Sequence, residues 1–273
     1  MHGAGNDFLL ATADEAPGDV MAGLTAGLCC RHTGVGADGV LVLETLEAGR
    51  VRVHYWNADG TRAAFCANGT RCAARLAADR WGWPRLTLET DFASIPALVD
   101  GGAVRIVVPP PAAVLPWENL TAAGERLRGR FLVLGVPHLV VPVVWPDFWD
   151  RELVPLAPAL RWHPDLPAGG ANVHFLRVHS SSTIAVRSWE RGVEGETLSC
   201  GSGVLAAALL AVEEGWANSP VAVTTASRRE LRVESGDPPL GTVASLSGPA
   251  EYVAEITLAE EFFAAVRTSR TPG

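Results

Sequence analysis

The chain has 273 residues, of which 48% are apolar and 19% charged, a balance that excludes a disordered chain and leaves room for two domain-sized cores. Its net charge of −8 and isoelectric point near 5.4 count against a nucleic-acid or anionic-membrane partner, which would call for a basic face. The opening Met1-His2-Gly3-Ala4-Gly5-Asn6 lacks the basic-then-apolar pattern of a secretion signal, so a soluble, cytoplasmic protein is expected.

In chain order, the glycine-rich start is followed by the adjacent pair Cys29 and Cys30, whose plainest reading is two small buried hydrophobes. Residues 51–56 (Val-Arg-Val-His-Tyr-Trp) read as a strand that ends in the polar turn Asn57-Ala58-Asp59-Gly60. Phe65-Cys66-Ala67-Asn68-Gly69-Thr70-Arg71-Cys72 then leads into a helical run over 73–79. A second strand is expected at 104–108, and Pro109-Pro110-Pro111 after it cannot continue a ladder. The triple proline predicts a boundary that gives an N-terminal half of residues 1–112 and a C-terminal half of 113–250. Residues 251–273 form a C-terminal segment expected to return to the first half.

The most apolar stretch, 131–145, is interrupted by Gly135, Pro137, His138 and Pro142. A membrane span needs about twenty predominantly apolar residues, so buried strands are expected here. His174 and His179 have a spacing that zinc sites use, but no Cys-x-x-Cys pair accompanies them, which argues against a structural metal. A third strand at 183–189 reaches Glu190-Arg191-Gly192. Leu198-Ser199-Cys200-Gly201-Ser202-Gly203 then enters a helical run over 204–214.

The two strand–turn–helix units match at a constant offset, pairing Cys66 with Cys200 and Gly69 with Gly203. A weaker echo links Gly3-Ala4-Gly5-Asn6-Asp7-Phe8 with Gly169-Gly170-Ala171-Asn172-Val173-His174-Phe175. A duplicated domain with one cysteine per copy is expected. Each cysteine would sit at a helix N-terminus, where unpaired N–H groups and the positive dipole end favour thiolate. The flanking glycines let an anionic ligand approach the backbone. Two such units facing each other would place thiols on opposite sides of one small ligand, the geometry that inversion at a carbon requires. Five cysteines, an odd number, fit reduced thiols. The sequence contains no lysine, so it offers no side chain for a pyridoxal-phosphate Schiff base.

At these residues the sequence resembles the diaminopimelate epimerase family. The resemblance runs in ordered blocks through residues 2–8 and 31–39, then 57–61 and 66–71, then Gly135-Val136-Pro137-His138 and Asn172-Val173. It continues through 190–192 and 195–203 and ends at Gly248-Pro249-Ala250-Glu251. It implies an α/β (α+β) fold of two pseudo-symmetric domains, each a mostly antiparallel sheet wrapped around a central helix, with the active site in the cleft between them. It implies cofactor-independent epimerisation of LL-2,6-diaminopimelate to the meso form, in lysine and peptidoglycan precursor synthesis, with Cys66 and Cys200 as the catalytic pair. His138 and Glu190 match positions that help the thiols exchange protons. Backbone groups at Ala67, Asn68, Gly201 and Ser202 would hold the α-carboxylate. Asn6, Asn57, Asn172, Glu190 and Arg191 would read the rest of the substrate, with Arg191 on the distal carboxylate. The implied partner is a small amino acid, with no cofactor, metal, nucleic acid or membrane, and a homodimer is allowed.

Taken singly, several of these residues have plainer readings: Asn57 as a turn residue, Arg191 as a surface ion pair, His138 as a core histidine. The chain also departs from the family. Ala67 replaces the usual glycine after the first cysteine, and Val136 stands where many members have an asparagine at the distal end of the substrate. The sequence starts almost on its first motif, without the usual leading strand and its lysine. The alternatives are a pyridoxal-independent racemase or epimerase of another amino acid on the same fold and a non-catalytic amino-acid-binding relative. A cysteine protease is a distant third, since no Cys-His-Asn spacing is legible.

Overall fold

The structure, a computed structural model, describes residues 1–16 and 18–262. The chain opens with β1 (His2–Gly3), β2 (Asn6–Thr12), α1 (Gly18–Cys29), β3 (Gly39–Glu47) and β4 (Arg50–Asn57). Helix α2 (Ala67–Trp81) follows, then β5 (Arg85–Glu89), β6 (Ser94–Asp100) and β7 (Ala103–Val108). The triple proline separates β7 from β8 (Ala113–Ala122), β9 (Glu125–Leu134) and β10 (Val136–Pro142). After α3 (Leu156–Arg161) come β11 (Asn172–Ser180), β12 (Thr183–Glu190) and the short β13 (Gly195–Thr197). Helix α4 (Gly201–Glu213), β14 (Val221–Thr224), β15 (Glu230–Ser235) and β16 (Ala244–Pro249) complete the set.

Strand pairing repeats in the two parts of the chain. β2 pairs parallel with β3 across α1, β3 antiparallel with β4, and β4 parallel with β5 across α2. The run closes with antiparallel β5–β6 and β6–β7. β10 pairs parallel with β11 across α3, β11 antiparallel with β12, and β12 parallel with β14 across α4, closing with antiparallel β14–β15 and β15–β16. The two last strands, β7 and β16, pair antiparallel, with Leu246 opposite Ile106, and join the halves into one sheet path. The fold is a sheet-dominated α+β architecture of two pseudo-symmetric halves.

The repeat assigns the internal echoes of the sequence. Cys66 and Cys200 are equivalent, each preceding the helix that crosses between parallel strands. The weaker echo between Asn6 and Asn172 has no topological counterpart. Asn6 opens β2, whereas Asn172 opens β11, whose equivalent is β3.

Each half wraps its sheet round one helix. In α4 every residue from Gly201 to Ala211 is buried, because its face is apolar all round and alanines at 206, 207, 208 and 211 let strands approach closely. Helix α2 buries Ala67, Gly69, Cys72, Ala73, Ala74 and Ala77 and ends on Gly82, whose left-handed φ of 73° lets its N–H close on Ala78 O. Residues 73–79, expected to be helical, are the centre of a longer helix that begins directly at the cysteine.

The backbone of Glu251 bridges that of His2, and Leu258 packs against the cluster of Met21, Leu24 and Leu28. Residues 263–273, which belong to the expected returning segment, lie outside the described residues. No described helix is long and apolar enough to cross a membrane.

Candidate active site

Strand direction gathers the candidate residues at one end of the sheet. Asn6 starts β2 and Asn57 ends β4, while His138 lies near the start of β10, Asn172 starts β11 and Glu190 ends β12. Both helices enter at this end. Cys66 caps α2, its Sγ accepting from the Gly69 N–H at 3.5 Å, and Cys200 occupies the N-cap of α4.

The two helix starts touch. Asn68 Nδ2 donates to Ser199 O at 2.8 Å and to Asn6 Oδ1 at 3.2 Å. A methyl placed on Gly201 would lie 2.8 Å from Ala67 Cβ and 2.9 Å from Asn68 Oδ1, so only glycine allows this approach. The buried methyl of Ala67, the family departure, is turned against Gly201. Cys66 Sγ lies 3.6 Å from Asn6 Oδ1, and Cys200 Sγ lies 3.8 Å from Ser202 Oγ.

Asn6 is fixed from behind. Its Nδ2 donates to Asp38 Oδ2 at 2.7 Å, and Arg31 bridges Asp38 and Asp7 at 2.8–3.0 Å. Asn172 accepts from the Arg191 backbone N–H at 2.7 Å and donates to Pro137 O at 3.2 Å. Arg191 itself is exposed, and its guanidinium makes no ion pair among the described residues. Asn57 Nδ2 is held in its turn by Thr61 Oγ1 at 3.1 Å.

Burial dominates the electrostatics. The Cys66 thiol is pushed up to about 11, against the opposing pull of the Gly69 N–H, and Cys200 is also raised well above an ordinary thiol by burial. The helix N-termini act in the expected direction but lose to desolvation. The charge of Glu190 raises both thiols further, so this carboxylate sits within electrostatic reach of the pair. Burial raises the Glu190 carboxyl as well, and the Thr197 hydroxyl donates a hydrogen bond to it. Below the helix starts lies Arg71, fully buried without a carboxylate partner among the described residues. It donates to Asn68 Oδ1 at 2.9 Å, and burial lowers it to about 10.

His138 is buried, with Nδ1 2.8 Å from His174 Nε2, and His174 Nδ1 is 2.9 Å from Ser188 Oγ. Burial lowers His138 to about 4, so both rings are neutral. His179, paired with His174 on sequence spacing, is exposed five positions on, where a strand presents its opposite face. The reading of Cys30 as a buried hydrophobe is corrected, because this thiol is exposed beyond the end of α1. Cys29 is buried as expected.

The sequence matches a known family. A profile described as diaminopimelate epimerase covers residues 1–91 and 131–253. The chain belongs to the diaminopimelate epimerase family. A diaminopimelate epimerase of Gemmatimonas aurantiaca is 37% identical over 246 residues, covering 86% of each chain. One from Archaeoglobus fulgidus is 38% identical over 245 residues, covering 82% of this chain and 84% of that one. These relatives make this member of the diaminopimelate epimerase family an isomerase. The fold is also that of a hydroxyproline epimerase from Agrobacterium vitis with trans-4-hydroxy-L-proline bound, at a TM-score of 0.65 and 16% identity over 91% of this chain and 87% of that one. A phenazine biosynthesis protein from Bacillus anthracis shares it at a TM-score of 0.65 and 15% identity, over 91% of this chain and 92% of that one.

Sequence reading missed the roles of Arg31, Asp38, Thr197 and His174 in this epimerase. The first two lie in a quoted motif and Thr197 in another, but what each one braces is visible only in space. His174 carried a signal that pointed to the wrong partner, His179 instead of His138.

Proposed function

We propose that this protein interconverts LL- and meso-2,6-diaminopimelate in the cytoplasm, without pyridoxal phosphate, by proton transfer between Cys66 and Cys200. The observation that carries this reading is the placement of the two cysteines at the N-caps of topologically equivalent, abutting helices, with Glu190 acting on both. The reaction would serve lysine and peptidoglycan precursor synthesis.

The α-carboxylate is held by backbone groups at Ala67, Asn68, Gly201 and Ser202, which lie in the first turns of α2 and α4, where helix N–H groups have no partner within the helix. Asn6, Asn57, Asn172 and Glu190 read the remainder, and the Arg191 guanidinium meets the distal carboxylate. One thiol is converted to thiolate, with Glu190 assisting its loss of a proton and His138 held beside Cys200 as a neutral ring. The thiolate takes the α-proton, forming S–H as the Cα–H bond breaks. The opposite thiol protonates the other face and is left as thiolate, so the proton count is unchanged.

An amino acid's α-hydrogen is far less acidic than a thiol, and each unit of mismatch corresponds to about 1.36 kcal/mol. Burial narrows that gap by making each thiolate more basic. Helix N–H groups in a dry site, at roughly 3–4 kcal/mol per donor, stabilise the charge that develops on the carboxylate.

Deuterium incorporation at the α-carbon of LL- and meso-diaminopimelate tests the reading. Wild type should exchange and interconvert both isomers, and Cys66→Ala and Cys200→Ala should each abolish interconversion. Absence of exchange on diaminopimelate, with exchange on another amino acid, would overturn the substrate assignment. Full interconversion by either variant would overturn the two-thiol mechanism.

A further inference from the structure

His174 lies outside the machinery described above. It is fully buried, pressed so closely on α4 that a methyl at Gly203 would stand 2.1 Å from its ring, and it faces His138. One donor atom from each of His138, His174 and Cys200 lies within 4.8 Å of the others, and all three side chains are buried. We propose that these three residues form a binding site for a thiophilic divalent cation of the zinc class, and that filling it switches the enzyme off. The switch, though not the site, rests on the reading of Cys200 as a catalytic thiol.

The donor set is two imidazole nitrogens and one thiolate, a combination that zinc and cobalt favour over hard, oxygen-seeking cations. The outer partners that ligating imidazoles use are already in place. With His138 Nδ1 and His174 Nε2 facing each other, the far nitrogens each meet an oxygen: Leu134 O lies 3.4 Å from His138 Nε2, and Ser188 Oγ lies 2.9 Å from His174 Nδ1. A backbone carbonyl and a hydroxyl are the kind of acceptor that fixes the tautomer a metal requires.

Without a cation one proton assignment satisfies the whole row. Ser188 Oγ–H donates to His174 Nδ1, His174 Nε2–H to His138 Nδ1, and His138 Nε2–H to Leu134 O. The cation would take the place of the central proton. His174 then carries its hydrogen on Nδ1 and donates to Ser188 Oγ, Cys200 releases its thiol proton, and three protein–metal bonds form. One proton leaves to solvent per cation bound. The facing nitrogens need to part to roughly 3.4 Å, the separation of two nitrogens on a tetrahedral zinc. The fourth position is left for water. A thiolate so ligated has its lone pair committed to the metal and is no longer free to act as a base.

The proposal is tested by titrating the reduced full chain with cobalt(II) chloride, which reports thiolate ligation by absorption independently of catalysis. One equivalent should bind, with a thiolate-to-cobalt charge-transfer band in the near ultraviolet and the intense visible bands of four-coordinate cobalt. Zinc chloride should bleach them. Cys200→Ser should lose the charge-transfer band, and His174→Asn should weaken cobalt binding at least tenfold, whereas His179→Asn and Cys30→Ser should bind as wild type does. Circular dichroism establishes that each variant is folded, and His138→Gln serves in place of an unfolded His174→Asn. Absence of the band in wild type, or unchanged binding in Cys200→Ser, would overturn the site. In the activity assay, zinc should inhibit wild type reversibly, with chelator restoring turnover. Zinc shown by bleaching to occupy the site while turnover continues undiminished would overturn the switch and the catalytic role of Cys200, and would leave the site standing.

Discussion

The Asn68 side chain donates to the carbonyl of Ser199 at 2.8 Å, tying the first turn of α2 to the residue before Cys200. The same amide accepts from Arg71 and donates to Asn6. One buried side chain therefore joins the two helix starts and orients Asn6 beside Cys66. Asn68→Ala should strip partners from buried Ser199 O and Arg71, at about 1–3 kcal/mol for each group left unsatisfied. Urea unfolding should show a midpoint shifted down accordingly, and isomerase activity should fall further than the stability loss accounts for.

Arg71 bears a different load. Its charge favours the Cys66 thiolate, and no carboxylate among the described residues neutralises it. Arg71→Met removes a buried unpaired cation, so stability should change little, because the lost hydrogen bonds are offset by the relieved desolvation. The Cys66 titration should move upward, and kcat/KM should fall by about tenfold, roughly 1.4 kcal/mol. A pH profile of Cys66 alkylation, read alongside the kinetics, separates this charge effect from a packing defect.

The exposed and buried thiols should react in reverse order of their catalytic standing. Cys30 is exposed, and the Thr33 hydroxyl and neighbouring backbone N–H groups pull its thiol down to about 7. Burial holds Cys66 at about 11. Near neutral pH, iodoacetamide should therefore modify Cys30 first, with turnover preserved. The thiolate of Cys66 is scarce below its titration point, so its alkylation should accelerate about tenfold per pH unit and level off near pH 11. Peptide mass mapping over a time course reads both rates.

Gly203 is equivalent to Gly69, but the two differ in what surrounds them. An added methyl at Gly203 would meet His174 Cε1 at 2.1 Å, whereas at Gly69 it would meet Leu41 Cδ2 at 3.3 Å, the far end of a flexible side chain. Gly203→Ala should cost about 3 kcal/mol or more, and Gly69→Ala no more than about 1–2 kcal/mol. Thermal unfolding of the two variants side by side checks the difference.

Much of this protein can be read from its residues in order. The matched Cys-x-x-Gly units at 66–69 and 200–203 specify two like helices, each entered through a cysteine, because glycine and the polar turn before each unit are local signals. Strands at 51–56, 104–108 and 183–189 follow from alternation and β-branched content, and the ordered motifs identify the family. Tertiary structure alone decided the rest. Burial, which reverses the expected ease of ionising Cys66 and Cys200, is the sum of what every other element brings around them. The pairing of His138 with His174 depends on the parallel register of β10 and β11, which places His138 opposite Asn172. The exposure of Cys30 next to buried Cys29 depends on where α1 ends. Local sequence fixes a residue's type and backbone tendency, whereas desolvation and partner choice are properties of distances between residues far apart in the chain, which only the folded arrangement sets.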